Sequence, residues 1–194
     1  MAACGVLALQ GDWEAHCQVL RALAVEPRPV RTAADLDQVD SLVLPGGESS
    51  AMLRLMEAEA LGPRIRERVG TGMPVLATCA GVILLAESVN PQQPSLGVLA
   101  VDVVRNAYGR QVHSGVAEVE LAPGLGEPRV TAAVFIRAPR IVRTGAGVEV
   151  LGRRGADPVL VRQQRMLAAT FHPELSSDRR VHELFLRLRE DHHD

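Results

Sequence analysis

Cys79 stands between two apolar runs, in the position of a nucleophile. An apolar run over residues 74–78 precedes it, the small residues Ala80 and Gly81 follow it, and a second apolar run continues to Ala86. This pattern predicts a buried strand, a sharp turn and a buried helix, with the sulfur exposed above a sheet as in a nucleophile elbow. A helix that begins at Ala80 would aim free N–H groups at the sulfur and favour the thiolate. By itself, Cys79 could equally be a small buried hydrophobic residue.

His172 and Glu174 form a second chemical group, separated by a single proline. Because Pro173 is rigid, the carboxylate can be held where it orients the imidazole. His172 could then give a proton to a departing nitrogen after a thiolate attacks an amide, and Glu174 would stabilise the imidazolium. The alternative is a solvated histidine and glutamate in an ordinary turn.

Gly46 and Gly47 follow a short apolar run at residues 41–44. Glycines at the end of a strand let the backbone approach a ligand, although an ordinary strand-to-helix turn has the same composition. An oxyanion formed beside Cys79 would need preorganised donors. The backbone N–H groups of Gly47 and Ala80 are the candidates for this oxyanion hole.

The elements that must position these residues alternate between strand and helix in the first half of the chain. This alternation predicts an α/β fold, with a mostly parallel sheet between helical layers. Pro27 and Pro29 predict an edge strand, and Thr32 a helix cap. Ligands bind beyond the carboxyl ends of parallel strands, so the turns at Gln10–Gly11, Gly46–Gly47 and Cys79 should meet at one rim. The second half predicts short antiparallel strands at residues 98–104, 116–121, 130–136, 148–153, 159–162 and 166–170, and a helix from about Ser177.

Composition limits the classes of function. The 194 residues suit a single domain over residues 1–194, and the net charge of −2 with 3% aromatic residues argues against a nucleic-acid partner. The absence of a long apolar run argues against a membrane protein. Three cysteines without paired spacing indicate free thiols in a reducing compartment, so we expect a cytoplasmic protein with no metal site.

Several stretches together carry a family resemblance that none of them carries alone. The stretches are LPGGES at 44–49, TCAG at 78–81, RNAYGRQ at 105–111, FIRAP at 135–139 and FHPE at 171–174. With them the chain resembles the glutaminase-subunit family of pyridoxal 5′-phosphate synthase, a branch of the class I glutamine amidotransferases. The resemblance implies a three-layer, flavodoxin-like α/β fold, the hydrolysis of L-glutamine, no cofactor, and a synthase subunit that receives the ammonia. It also implies a large hetero-oligomer in which the glutaminase is idle until it docks.

The resemblance also assigns roles to residues. It implies a Cys79, His172 and Glu174 triad, and a glutamine site formed by Gly47, Glu48, Ser49, Arg105, Ile136 and Arg137. Free glutamine carries an α-carboxylate and an α-ammonium group, and the charges of Arg105, Arg137 and Glu48 suit them. Either arginine could equally be a surface residue or an ion-pair partner at the subunit contact.

Two other functions remain open at this stage. Glyoxalase-like or protein-repair enzymes of the DJ-1 type share a cysteine elbow, and a regulatory module on the same fold would need no chemistry. The placement of His172 argues against the first, and the complete triad against the second. The remaining histidines have no predicted role: His16 and His182 fall on helices, His192 and His193 lie in a polar tail, and His113 is placed near the mouth of the site. Cys4 and Cys17 are expected in the core. Trp13 could either pack in the core or belong to the site.

Overall fold

The structure, a computed structural model, describes residues 3–107 and 115–190. Within these ranges the helices are α1 Trp13–Ala22, α2 Ala33–Leu36, α3 Ser49–Ala58, α4 Leu61–Gly70, α5 Ala80–Leu85 and α6 Arg180–Glu190. The strands are β1 Cys4–Leu7, β2 Pro27–Val30, β3 Ser41–Leu44, β4 Val75–Thr78, β5 Ala86–Asn90, β6 Leu99–Val104, β7 Gly115–Leu121, β8 Val130–Phe135, β9 Arg140–Thr144, β10 Val148–Arg154, β11 Asp157–Gln163 and β12 Met166–Ala169.

Five parallel strands form one half of a nine-stranded sheet, in the order β2-β1-β3-β4-β12. Strands β1, β3, β4 and β12 are buried at every position, which is typical of parallel strands covered on both faces. Strand β2 carries Pro27 and Pro29 and lies at the edge, as predicted, since proline has no N–H for a ladder. The carboxyl ends of β1, β3, β4 and β12 therefore meet at one rim.

Antiparallel strands continue the sheet beyond β12, in the order β11-β10-β7-β8. All four were predicted as strands, and their bounds differ from the prediction by a few residues. Strand β8 contacts the segment at the rim that follows β12. The backbone N–H of His172 donates to the carbonyl oxygen of Val134 at 2.8 Å. The antiparallel half thus supports the segment that follows β12.

A second, three-stranded sheet of β5, β6 and β9 was only partly predicted. Strand β6 was expected, but β5 and β9 were not. Strand β5 follows α5 without a turn residue between them, so the sequence at residues 80–86 looks like one continuous helix. Strand β9 buries only Ile141, and the apolar Val142 beside it is exposed, so its sequence has no regular alternation to recognise.

The helices cover both faces of the large sheet. One hydrophobic cluster joins α2, α3, α4 and α5 to side chains such as Val75 and Ala77 of β4. The other joins α1 and α6 to Leu76 of the same strand, because successive side chains of a strand point to opposite faces. Thr32 caps α2 in a reciprocal capping box with Asp35, as its side-chain type predicts. Within the described residues, no helix is both long enough and apolar enough to cross a membrane.

Candidate active site

Cys79 lies in a sharp turn between β4 and α5. Its backbone has φ of 47° and ψ of −106°, a conformation that residues other than glycine rarely adopt and that costs free energy. Gly81 allows this turn to pack against β3, because a Cβ there would collide with the backbone carbonyl of Leu44. The strand, tight turn and helix predicted around the cysteine are therefore confirmed, and the strain lies at the residue expected to act.

His172 and Glu174 follow β12 at the same rim. Nδ1 of His172 lies 2.7 Å from Oε1 of Glu174, and both side chains are buried. Pro173 begins a short 3₁₀ turn that brings the carboxylate back under the ring. The predicted pairing of the two side chains is present, and the alternative of a solvated pair is wrong.

Cys79 and His172 are neighbours across the rim, although they lie far apart in sequence. A Cβ built on Gly46 would be 2.5 Å from Cε1 of His172 and 3.3 Å from Cβ of Cys79, so both side chains border this one glycine. Burial lowers the pKa of His172, but its interactions with the Cys79 sulfur and with Glu174 outweigh burial and raise the pKa to about 10. This direction favours the charged form of the imidazole.

A cavity of about 270 Å³ opens above these residues. It brings together every predicted site residue except Glu174, which lies behind His172, and it includes the rim turns at β1 and β3. Its lining residues are Gln10, Asp12, Gly46, Gly47, Glu48, Ser49, Cys79, Ala80, Ile83, Arg105, Asn106, Ile136, Arg137 and His172.

The turn after β3 is fixed by contacts that were not predicted. Oε1 of Gln10 accepts a hydrogen bond from the backbone N–H of Glu48 at 2.7 Å, and it lies beside Gly47, whose φ is 152°. The Glu48 carboxylate caps α3 by accepting from the N–H groups of Ser50 and Ala51. These backbone bonds, chiefly the one from Ala51, lower the pKa of Glu48, so it stays charged.

Arg105 reaches the cavity from the end of β6. Its guanidinium hydrogen-bonds the side chain of Gln93 and lies 3.5 Å from the carboxylate of Glu48. Gln93 also accepts from the hydroxyl of Ser49 at 3.3 Å. Gln93 was not predicted, and it ties two predicted glutamine-binding residues together.

Ile136 and Arg137 border the cavity from the turn after β8. The carbonyl oxygen of Ile136 lies 3.7 Å from the sulfur of Cys79, and Arg137 has a left-handed φ of 45°. The segment from Tyr108 to Gln111 in the RNAYGRQ stretch, and His113, lie outside the described residues. Trp13 begins α1 and packs against the core, and the guanidinium of Arg31 lies 5.5 Å from the centre of its ring. Its role is therefore in packing.

His16 is the functional candidate that sequence reasoning missed. It is fully buried, and its Nε2 lies 3.3 Å from Oε2 of Glu174. The available signal was its spacing, because Trp13, His16, Cys17 and Leu20 fall on one helical face. A histidine on a buried face must find polar partners.

No group of three or more His, Cys, Asp or Glu side chains within residues 3–107 and 115–190 is arranged to hold a metal ion. The cavity instead offers a thiol, an imidazole paired with a carboxylate, backbone N–H groups and side chains of both charges. This set suits covalent catalysis on a polar acyl substrate.

Comparison with known proteins places this arrangement in context. Residues 6–191 match the family model described as the SNO glutamine amidotransferase family. The pyridoxal 5′-phosphate synthase subunit PdxT of Thermotoga neapolitana is 49% identical over 95% of this chain and 97% of that protein. The PdxT protein of Koribacter versatilis is 51% identical over 95% and 94% of the two chains.

Two solved structures have folds similar to that of this chain. A crystal structure of a glutamine amidotransferase has a TM-score of 0.90 and 45% identity, covering 97% of this chain and all of that one. The structure of PurLQS from Thermotoga maritima has a TM-score of 0.71 at 16% identity, covering 96% and 97% of the two chains, a likeness of fold alone. The predicted parallel sheet between helices with added antiparallel strands is confirmed.

Proposed function

Because this chain belongs to the SNO glutamine amidotransferase family, we propose that it hydrolyses L-glutamine to L-glutamate and ammonia as the glutaminase subunit of pyridoxal 5′-phosphate synthase. The ammonia then serves vitamin B6 biosynthesis. The observation that carries the chemistry is the adjacency of Cys79, His172 and Glu174 at one rim, with a cavity above them.

The resting charge state favours attack by sulfur. The Cys79 sulfur and the Glu174 carboxylate raise the pKa of His172 to about 10 in spite of burial, which favours the imidazolium form. A positive charge beside a cysteine stabilises the thiolate, which is the nucleophilic form. The free N–H groups at the start of α5 add to this effect.

The reaction proceeds in two halves. The Cys79 thiolate attacks the side-chain amide carbon of glutamine, and His172 gives its proton to the nitrogen as the C–N bond breaks, which releases ammonia and leaves a thioester. His172 then takes a proton from water as the water oxygen attacks the thioester carbon. Glutamate leaves when the C–S bond breaks, and the thiolate and imidazolium are restored. Glu174 holds the ring by its 2.7 Å contact with Nδ1 throughout.

Each half passes through an oxyanion that needs donors. Ala80 opens α5 and lines the cavity, so its N–H has no partner within the helix. Gly47 lines the same cavity, in the turn held by Gln10. We assign the oxyanion hole to the backbone N–H groups of Gly47 and Ala80.

The charged side chains of the cavity suit the α-amino acid end of glutamine. Arg105 and Arg137 supply positive charge for a carboxylate, and Glu48 and Asp12 supply negative charge for an ammonium. Substrate binding is assigned to Gly47, Glu48, Ser49, Arg105, Ile136 and Arg137.

The partner is the synthase subunit. Both PdxT relatives are named as subunits of pyridoxal 5′-phosphate synthase, which supports a second subunit that receives the ammonia. We propose that the two form a large mixed complex and that the glutaminase becomes active on docking. The cytoplasmic location and the single domain over residues 1–194 stay predictions.

The function is tested by glutamate release from glutamine, with and without the synthase partner. We expect release that depends on the partner. No release from the complete complex would contradict the proposal and would favour a regulatory module. Formation of lactate from methylglyoxal in preference to glutamate would instead favour a glyoxalase-like enzyme.

Gly46→Ala tests the packing of the pair directly. The added methyl group would lie 2.5 Å from Cε1 of His172, so the ring must shift from its place. A misplacement of about 1 Å in a catalytic group can cost about a hundredfold in rate, and we expect a loss of that order in glutamate release by the complex.

Gly70→Ala is the matched control. Gly70 ends α4, and a Cβ there would meet no atom within 4 Å. We expect unchanged activity and slightly higher thermal stability, because alanine is the better helix former. Equal activity in the two variants would contradict the expectation that the packing of Gly46 against His172 and Cys79 matters for catalysis.

A further inference from the structure

The carboxylate of Glu174 is contacted on both of its oxygens. Oε1 faces His172, and Oε2 faces Nε2 of His16 at 3.3 Å, an ion-pair distance. Oε2 has no hydrogen bond of ordinary geometry among the described residues. Since both side chains are buried at this contact, the electrostatic environment of Oε2 depends strongly on His16.

His16 is itself held on two sides. Its Nδ1 lies 3.0 Å from Nε2 of His182, and its Nε2 lies 3.1 Å from the hydroxyl of Thr78. All three side chains are fully buried. Thr78 immediately precedes Cys79, so one imidazole touches both the triad carboxylate and the strand that carries the nucleophile.

Both buried histidines are neutral. Burial, together with the neighbouring His182 and His172, holds the pKa of His16 well below 6.5. Burial, together with Arg179, lowers the pKa of His182 to about 4. Each ring therefore carries one N–H, and the positions of these protons decide what His16 offers to Glu174.

Electrostatics selects one arrangement of the protons. If His16 carried its proton on Nδ1, its Nε2 would turn a lone pair towards the carboxylate. Its Nδ1–H would donate to Nε2 of His182, so His182 would have to carry its own proton on Nδ1. That atom has no hydrogen-bond partner among the described residues, so a buried N–H would be left unsatisfied. With the proton on Nε2, His16 donates to the hydroxyl of Thr78, has the Glu174 carboxylate 3.3 Å from the same nitrogen, and accepts from Nε2–H of His182.

We propose that His16, oriented by His182, is a positioning residue for the reaction: the partial positive charge of its Nε2–H attracts Oε2 of Glu174, 3.3 Å from that nitrogen, and the carboxylate then holds the His172 ring against Cys79. The inference rests on the proposed glutaminase function. His16 touches no atom that reacts, so its contribution is to the geometry of the carboxylate and, through it, of the imidazole.

Two amide variants separate this role from simple packing. In His16→Gln the side-chain nitrogen reaches the place of Nε2, whereas in His16→Asn it reaches only the place of Nδ1. We expect His16→Asn to lower kcat for glutamate release by the complex with the synthase by about 10- to 100-fold. We expect KM for glutamine to stay within about twofold, because the glutamine-binding wall is untouched, and His16→Gln to recover most of kcat.

The outcomes separate the inference from the function on which it rests. If the unaltered complex releases no glutamate, the proposed function fails. If it is active and both variants retain its kcat, or if both folded variants lose kcat equally, only the role of His16 is overturned. Thermal unfolding shows whether each variant is folded. Should His16→Asn not fold, His182→Leu replaces it: a loss of kcat of about threefold or more is expected, and an unchanged kcat would overturn the inference.

Discussion

Replacing Cys79 by alanine is expected to abolish glutamate release by the complex with the synthase, with a loss of at least about 10⁴-fold. The reason is that the sulfur forms the bond that divides amide hydrolysis into two easier steps, and alanine has no atom to form it. The side chain is small and already nearly buried, so the fold should be retained. The measurement is glutamate formed per enzyme at saturating glutamine.

Cys4→Ala is the matched control for this experiment. Cys4 is also a buried free cysteine, but it begins β1, at the opposite end of the strand from the rim. We expect its activity to stay within about twofold of the unaltered chain, since surroundings rather than residue type make a cysteine reactive. Labelling with 6-diazo-5-oxo-L-norleucine, blocked by glutamine, should be lost in Cys79→Ala and kept in Cys4→Ala. Glutamate release at the normal rate from Cys79→Ala would exclude Cys79 as the nucleophile.

Replacing His172 by asparagine should lower kcat by about 10³- to 10⁴-fold. The variant loses the proton donor for the leaving nitrogen and the positive charge that stabilises the thiolate, while the amide keeps a polar group at the position of Nδ1. Because the departing ammonia needs that proton, formation of the thioester should be slowed more than the binding of glutamine. The measurement is kcat and KM for glutamine, with thermal unfolding as the check on folding.

The double variant of Cys79→Ala and His172→Asn gives the sharper result. When two residues act in the same mechanism, replacing the second costs little further activity once the first has been replaced. The double variant should therefore be about as inactive as Cys79→Ala alone. A further loss equal to that of His172→Asn would show that the two residues act independently. That outcome would contradict the Cys79, His172 and Glu174 mechanism.

Local features of the sequence predicted the parts of the site that depend on local chemistry. The strained turn at Cys79 follows from a short apolar strand, two small residues and an apolar helix placed in succession. The contact between His172 and Glu174 spans only two residues, with a rigid proline between them. The common rim follows from strand order alone, because the turns after parallel strands lie on one side of the sheet.

Other features depended on contacts between distant segments. The family resemblance implies that Glu48 belongs to the glutamine site, yet its carboxylate caps α3 as well as lining the cavity, because that helix begins immediately behind the glycine turn. Strand β9 exists because β6 supplies it with a partner, not because its own pattern is strong. Gln93 becomes relevant only because its loop brings it against Arg105 and Ser49.

The sequence by itself determined the residue types, the elbow, the fold class and the family resemblance, since each depends on neighbours within a few positions or on motifs taken together. Only the tertiary structure decided which buried groups face one another. His16 and His182 are 166 residues apart, and nothing in the spacing of either indicates that α1 and α6 bring the two rings together. Their contact arises because both helices bury their apolar sides against the same face of the sheet, and a polar group enclosed there must pair with whatever the packing brings to it.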